Sequence, residues 1–240
     1  MKKKIKETIK KINTYFYENK KKFAKGICFE KLLFLFVIGC IIGTYYEQLL
    51  NLAINYANDG SIIWESRRGV IYGPLSPIYG CGFIIMIYFL AHKKLKWYQI
   101  LLRGSLIGGI FEYLVSFLQE VFVGTVSWDY STYFLNINGR TTIPYMFFWG
   151  IASVLLIKKI YPFFSKLIEK IPYNLGDLIT KILIIILSFD MLISWSALIR
   201  QDLRRRNVPA YTIVDKFYDK YYPDTYLKKF FPNMRVREVK

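Results

Sequence analysis

Gly39-Cys-Ile-Ile-Gly43-Thr-Tyr-Tyr-Glu47 and Gly104-Ser-Leu-Ile-Gly108-Gly-Ile-Phe-Glu112 repeat the same three residues at the same spacing, each inside a long apolar run. Steps of four residues put both glycines and the carboxylate on one helix face. Small residues on such a face let two helix backbones approach closely. A carboxylate inside a membrane-length helix is expensive unless it faces a protein interior, so two in matching positions predict a duplicated polar interior. The match continues outward, because Trp64-Glu65 follows the first glutamate and Trp128-Asp129 the second, 17 and 16 residues on.

Composition agrees with a membrane setting. The 240 residues are 54% hydrophobic and 18% aromatic, with a mean hydropathy of +0.25. Continuous apolar runs of near-spanning length exclude both an ordinary soluble domain and the alternating strands of a transmembrane barrel. The predicted class is all-α: a polytopic helical membrane protein with about five transmembrane helices, the first four forming two tandem helix-hairpin repeats. The expected spans are 31–54, 74–92, 97–123, 143–161 and 177–199. Three parts follow: a basic amphipathic segment over 1–30, a transmembrane domain over 31–199 with repeat units at about 31–92 and 97–161, and a basic tail over 200–240. Two tandem hairpins run the same way through the bilayer, so an axis along the membrane normal would relate them.

Net charge is +17 and gathers at the two ends: residues 1–25 carry +8 and residues 200–240 carry +6. Such segments meet anionic membrane lipids, at about 1 kcal/mol per basic residue near the surface. No nucleic-acid recognition pattern accompanies the charge. Ile5, Ile9, Ile12, Phe16 and Phe23 approximate one stripe, as in a helix lying on a membrane. Lysines at 93, 94, 96, 158, 159, 166 and 170 join the N-terminal ones in marking a cytoplasmic side. Five spans then put the basic tail on the other side, against that rule, unless one segment is re-entrant. The second, rich in proline, is the candidate.

Glu47 and Glu112 fall at similar depth, where Arg68 and Arg140 could descend from the loops to pair with them. Two adjacent carboxylates would share a proton, which suits proton coupling or acid–base work. Gln119 lies nearly in line with Glu112, and Glu120 is either a rim residue or a boundary charge. Asp190, amid Ser188, Ser194 and Ser196, should face the bundle interior. In Arg68-Gly-Val-Ile-Tyr-Gly-Pro-Leu-Ser-Pro-Ile-Tyr-Gly80, Gly73, Pro74 and Pro77 pre-set a kinked or extended approach to the second helix, beside Tyr79. Prolines in a first helical turn are the plainer reading. His92 reads as an interfacial residue, and Cys28, Cys40 and Cys81 as packing residues without metal spacing. No cofactor or metal pattern is present, and no phosphate-binding loop, zinc helix or serine elbow.

Gly73-Pro-Leu-Ser-Pro-Ile-Tyr-Gly80, Glu112-Tyr113, Trp128-Asp-Tyr-Ser131 and Asn136-Ile-Asn-Gly-Arg140, with Phe231-Pro-Asn-Met234 in the tail, resemble a bacterial membrane family labelled ABC-transporter type IV (CmpB-like). The resemblance covers roughly residues 32–160, and Tyr46 departs from the tryptophan usual there. It implies a bacterial cytoplasmic-membrane protein with a transport role, and a separate ATPase subunit or other membrane protein as partner. The residues themselves, apart from the resemblance, give Glu47, Glu112, Arg68, Arg140, Trp128, Asp129, Gly73, Pro74, Pro77, Tyr79 and Asp190 as the expected ligand-binding set of a permease component. A membrane-embedded enzyme acting on lipid or envelope substrates, or an assembly factor, are the alternatives.

Overall fold

The structure, a computed structural model, describes residues 6–7, 22–91 and 94–236. The surface stripe at Ile5, Ile9, Ile12 and Phe16, and His92, lie outside them. Helices α1 (Phe29–Asp59), α2 (Pro77–Leu90) and α3 (Trp97–Val123) lead to a small hairpin, β1 (Asn136–Ile137) and β2 (Thr141–Thr142). Then come α4 (Ile143–Leu155), one π-helical turn (Leu156–Ile160), α5 (Tyr161–Ile168), α6 (Tyr173–Arg205), α7 (Ile213–Tyr221) and α8 (Asp224–Leu227). Four helical stretches are long and apolar enough to cross a membrane: Phe29–Asp59, Trp97–Val123, Ile143–Ile168 and Tyr173–Arg205. The chain is a multi-pass membrane protein by this measure. The remaining expected span, α2, has 14 residues. It rises about 21 Å against a hydrocarbon core of about 30 Å.

Glycine pairs the helices. A Cβ on Gly43 would lie 2.1 Å from Tyr79 of α2, and one on Gly39 would lie 2.7 Å from Phe83. In the second hairpin a Cβ on Gly108 would meet Trp149 at 2.4 Å, and one on Gly104 would meet Ser153 at 2.5 Å. The return helices match too: a Cβ on Gly80 would strike Phe36 and Cys40, and one on Gly150 would strike Leu101 and Ser105. The outgoing helices thus correspond at an offset of 65 residues and the returning helices at 70. The offset of 67 between Pro77 and Pro144 therefore does not carry into the contacts, because the second loop and its hairpin admit α4 almost one helical turn later. Both outgoing helices end on a left-handed glycine, Gly60 (φ +73°) and Gly124 (φ +65°), four residues before their tryptophans.

The third expected boundary, 97–123, coincides with α3. The fourth runs on instead of stopping near Tyr161. Pro162 cannot donate to an α-helical ladder, and the π turn before it absorbs the mismatch, with Tyr161 N–H donating to Leu156 O. The stretch after Tyr161, outside the expected span of 143–161, is therefore a continuation of the fourth spanning helix.

One end of the bundle gathers Phe23, which is buried against Phe34 and Gly176 rather than facing lipid. There Lys31, 1% exposed, donates to Ser165 (2.8 Å) and pairs with Glu169. Lys158 caps Leu95 O at 3.1 Å. The opposite end gathers the loops after α1 and α3 and the folded tail. Tail residue Phe230 accepts from Ser66 Oγ (2.9 Å), Asn233 donates to Ser127 O (3.3 Å), and Arg235 bridges to Val126. Here Tyr218, Tyr222, Leu227 and Phe231 form a second apolar core with Ile71, Ala197 and Leu198. The tail thus lies opposite the start of α1. Part of its basic charge is internally paired: Arg200 binds Asp219 through two bonds (2.8 and 2.7 Å), and Arg204 binds Asp219 and Asp224.

Candidate functional site

Asn138 (φ +51°) and Gly139 (φ +65°) are the central residues of the turn closed by Arg140 N–H on Ile137 O (3.0 Å), in the three-residue loop of the β1–β2 hairpin, whose strands pair Asn136 with Thr142 and Ile137 with Thr141. This hairpin is what sequence reasoning missed, although the Asn-Gly pair is its usual signal. It has a purpose in the geometry. Thr142 caps α4, its hydroxyl accepting from Tyr145 N at 3.1 Å, and Thr141 points back to α3. Trp128 Nε1–H donates to Arg140 O (2.8 Å) and Tyr130 N–H to Gly139 O (2.8 Å), which knit the loop over the hairpin.

Glu112 is the point on which these ties converge. It is 8% exposed and accepts from Thr141 Oγ1 at 2.6 Å and from Tyr130 OH at 3.1 Å. The Trp149 indole completes its donors. Glu47, half-buried, takes its hydrogen bond from Tyr79. The two sites are equivalent: the aromatic residue that packs on the second glycine, Tyr79 or Trp149, is also the one that serves the glutamate. They also share electrostatic neighbours. Tyr130 feels the charges of both Glu112 and Glu47, and Tyr79 feels Tyr130. Burial first, and then the Glu112 charge, push the Tyr130 phenol far above its usual range, so it stays a donor at any physiological pH. Around it Tyr130 stacks on Tyr145 with centroids 4.7 Å apart, and Tyr133 closes edge-on at 5.5 Å.

The arginines are elsewhere than expected. Arg140 pairs with Glu120 at 2.5 Å, donates to Ser116 at 3.3 Å and lies over the Tyr113 and Phe117 rings. Glu120 sits two turns nearer the loop than Glu112, so Arg140 is neutralised before it reaches greater depth, where desolvation costs more. Arg68 binds Ser66 Oγ and Ile71 O and stacks on Phe230 of the tail. The cation that Glu47 does feel is Arg67, whose own ion pair is with Glu65 at 2.8 Å. Arg67 was not among the expected residues, and only its neighbour was singled out. Neither glutamate has an ion-pair partner among the described residues. Beside Glu47, Gln48 Oε1 and Arg67 Nε are buried with no hydrogen-bond partner.

The rest of the expected set builds the frame. Asp190, 4% exposed, accepts from Tyr72 N–H (3.1 Å) and Ser194 Oγ (3.0 Å), while Ser194 Oγ accepts from Ile71 N–H (2.8 Å). These bonds satisfy the irregular backbone before α2, which protein must supply where water is excluded. Gly73 turns that segment at φ +77°, a value a side chain resists. Pro77 occupies the first turn of α2, the plainer of its two readings, and Pro74 lies in the bend before it. Asp129 closes a local turn on Ser131 N–H at 2.9 Å. Gln119 bonds Ser127 Oγ instead of reaching Glu112.

No curated protein and no solved structure matches the chain. One family profile does, over residues 34–195, about two thirds of the 240 residues, continuing into α6 beyond the stretch expected to carry the resemblance. With those motifs placed around the two glutamates and the loops above them, the chain belongs to the family described as "Putative ABC-transporter type IV".

Proposed function

We propose that this chain is a permease-like subunit of a transport system in the bacterial cytoplasmic membrane, with Glu47 and Glu112 lining its polar interior. The observation that carries this reading is Tyr130. A single phenol from the second loop donates to Glu112 at 3.1 Å and also lies within the field of Glu47, which supports reading the carboxylates of both hairpins together. Two carboxylates served by hydroxyl and indole donors alone are open to a proton or a cationic group, whereas carboxylates locked to arginine would not be. The unpartnered Gln48 Oε1 and Arg67 Nε beside Glu47 support a polar guest there.

The lysine-rich end is the cytoplasmic one in this reading, where anionic lipids hold it. The glutamates then open toward the other face, under the Trp64 and Trp128 loops. Trp128 and Arg140 are positioning residues that hold Tyr130 and Thr141 on Glu112, and Asp190 and Gly73 shape the approach through the first loop. The chain has no phosphate-binding loop, so energy comes from a separate ATPase. The test is purification of the tagged chain with its partners into lipid nanodiscs. Wild type is expected to bring down an ATPase and support its turnover; the E47Q/E112Q variant is expected to assemble the same complex and lose at least half of that turnover. Full turnover in the double variant rejects the reading.

A further inference from the structure

Helix α6 is 33 residues long, about 50 Å, whereas the hydrocarbon core needs only about 20 residues. Its last turns, from Arg200 to Arg205, therefore stand at the level of lipid headgroups. Between them and the tail turn that follows α8 is a cavity of about 250 Å³, walled by Gln201, Arg205, Asp224, Leu227, Lys228 and Phe231. That volume holds roughly eight waters. Leu227 and Phe231 are buried and make an apolar floor.

The polar wall is incomplete in a particular way. Arg200, Arg204 and Arg206 are each paired with an aspartate. Asp224, the one carboxylate on the wall, is held by Arg204 at 2.6 and 3.0 Å. Arg205 and Lys228 line the same cavity without an ion pair among the described residues. Gln201, 7% exposed, lines the back of the same cavity.

We infer that this cavity binds a phosphate group carried on an amphiphile, with Arg205 and Lys228 neutralising the charge and Gln201 donating from behind. A guanidinium fork matches phosphate oxygens, an ammonium adds a point charge, and the amide supplies N–H donors. The headgroup level and apolar floor fit a phospholipid, and a soluble phosphate monoester offers the same anion. Such a site differs from diffuse attraction of basic segments to a charged surface, because it has a back wall and a fixed donor. Its place is between a spanning helix and the tail, so an occupant would fasten the two together.

The experiment uses the full chain, delipidated in neutral detergent, with phosphatidylglycerol as probe and native mass spectrometry as readout. Diacylglycerol serves as the phosphate-free control and R206Q as the charge control outside the cavity. Wild type and R206Q are expected to retain phosphatidylglycerol about tenfold more tightly than R205Q/K228Q, as the loss of one or two charge-assisted bonds implies. Diacylglycerol is expected not to compete. Displacement by millimolar inorganic phosphate assigns the site to soluble phosphates; no displacement assigns it to the lipid, and either supports phosphate recognition. Equal retention by wild type and R205Q/K228Q, or competition by diacylglycerol, overturns the proposal. Should the double variant fail to fold, K228Q alone, at an exposed side chain, is expected to weaken retention about threefold, and unchanged retention overturns it equally.

Discussion

Glu112 is the residue whose surroundings say most. Its partners come from three separate places in the chain, the loop (Tyr130), the hairpin (Thr141) and α4 (Trp149), so its cost is met by cooperation between elements and not by one neighbour. The spacing of Gly104, Gly108 and Glu112 exposed the carboxylate, but its partners were not legible: Thr141 and Trp149 carry no pattern until the hairpin fixes their direction. Thr141→Val is expected to cost about 1–3 kcal/mol, because it leaves one oxygen of a buried carboxylate unserved. Thermal unfolding in nanodiscs measures it. Asp190 makes the parallel case on α6. Asp190→Ala would strand the Tyr72 amide and release Ser194 Oγ, with an expected loss of about 1–3 kcal/mol. Faster labelling of a cysteine placed at Tyr72 reports the loosening; unchanged labelling would show that the loop is held by other means.

The element scale is where the sequence was most readable. Two helices with small residues and a glutamate in the same order predicted two hairpins, and the contacts of Gly39, Gly43, Gly104 and Gly108 recur pair for pair. The limits have physical reasons. Hydropathy marks where residues are apolar, not where a helix stops, so α1 and α6 run past the expected ends into the polar zone. Pro162 reads as a break unless one knows that a π turn precedes it. The folded tail was invisible because α7 and α8 are short and polar, and their order comes from Arg200, Arg204 and Asp219 meeting across the chain. Packing also makes a sharp prediction about glycine. Gly43→Ala and Gly108→Ala force a methyl into Tyr79 and Trp149 and are expected to cost about 1–3 kcal/mol each. Gly82→Ala, whose added methyl would find its nearest neighbour at 3.5 Å, is expected to cost nothing and to gain up to about 1 kcal/mol from helix propensity. Equal effects at all three positions would deny the close approach.

At the scale of the molecule, the lysine-rich end and the site-bearing end are separate, and the tail covers the latter. Arg200 and then Arg204 hold the Asp219 carboxyl down to about 2 from an ordinary value of 3.8. A depressed carboxylate adds stability above its unfolded value and loses it as pH falls through the folded one. Tail docking is therefore expected to be constant from pH 7 to about 4 and to weaken between about 4 and 2. Fluorescence transfer between labels at Ile62 and Lys216 reads it, and D219N is expected to weaken docking at neutral pH and to flatten the acid transition. An acid transition unchanged in D219N would place the tail's hold elsewhere.

The central claim is that Glu47 and Glu112 act as one unit through Tyr130. A double-mutant cycle on E47Q and E112Q, followed by reversible unfolding in lipid nanodiscs, tests it most directly. The account predicts a coupling above about 0.5 kcal/mol that shrinks when the cycle is repeated in Y130F, whereas additivity within about 0.3–0.5 kcal/mol in the native background would contradict it.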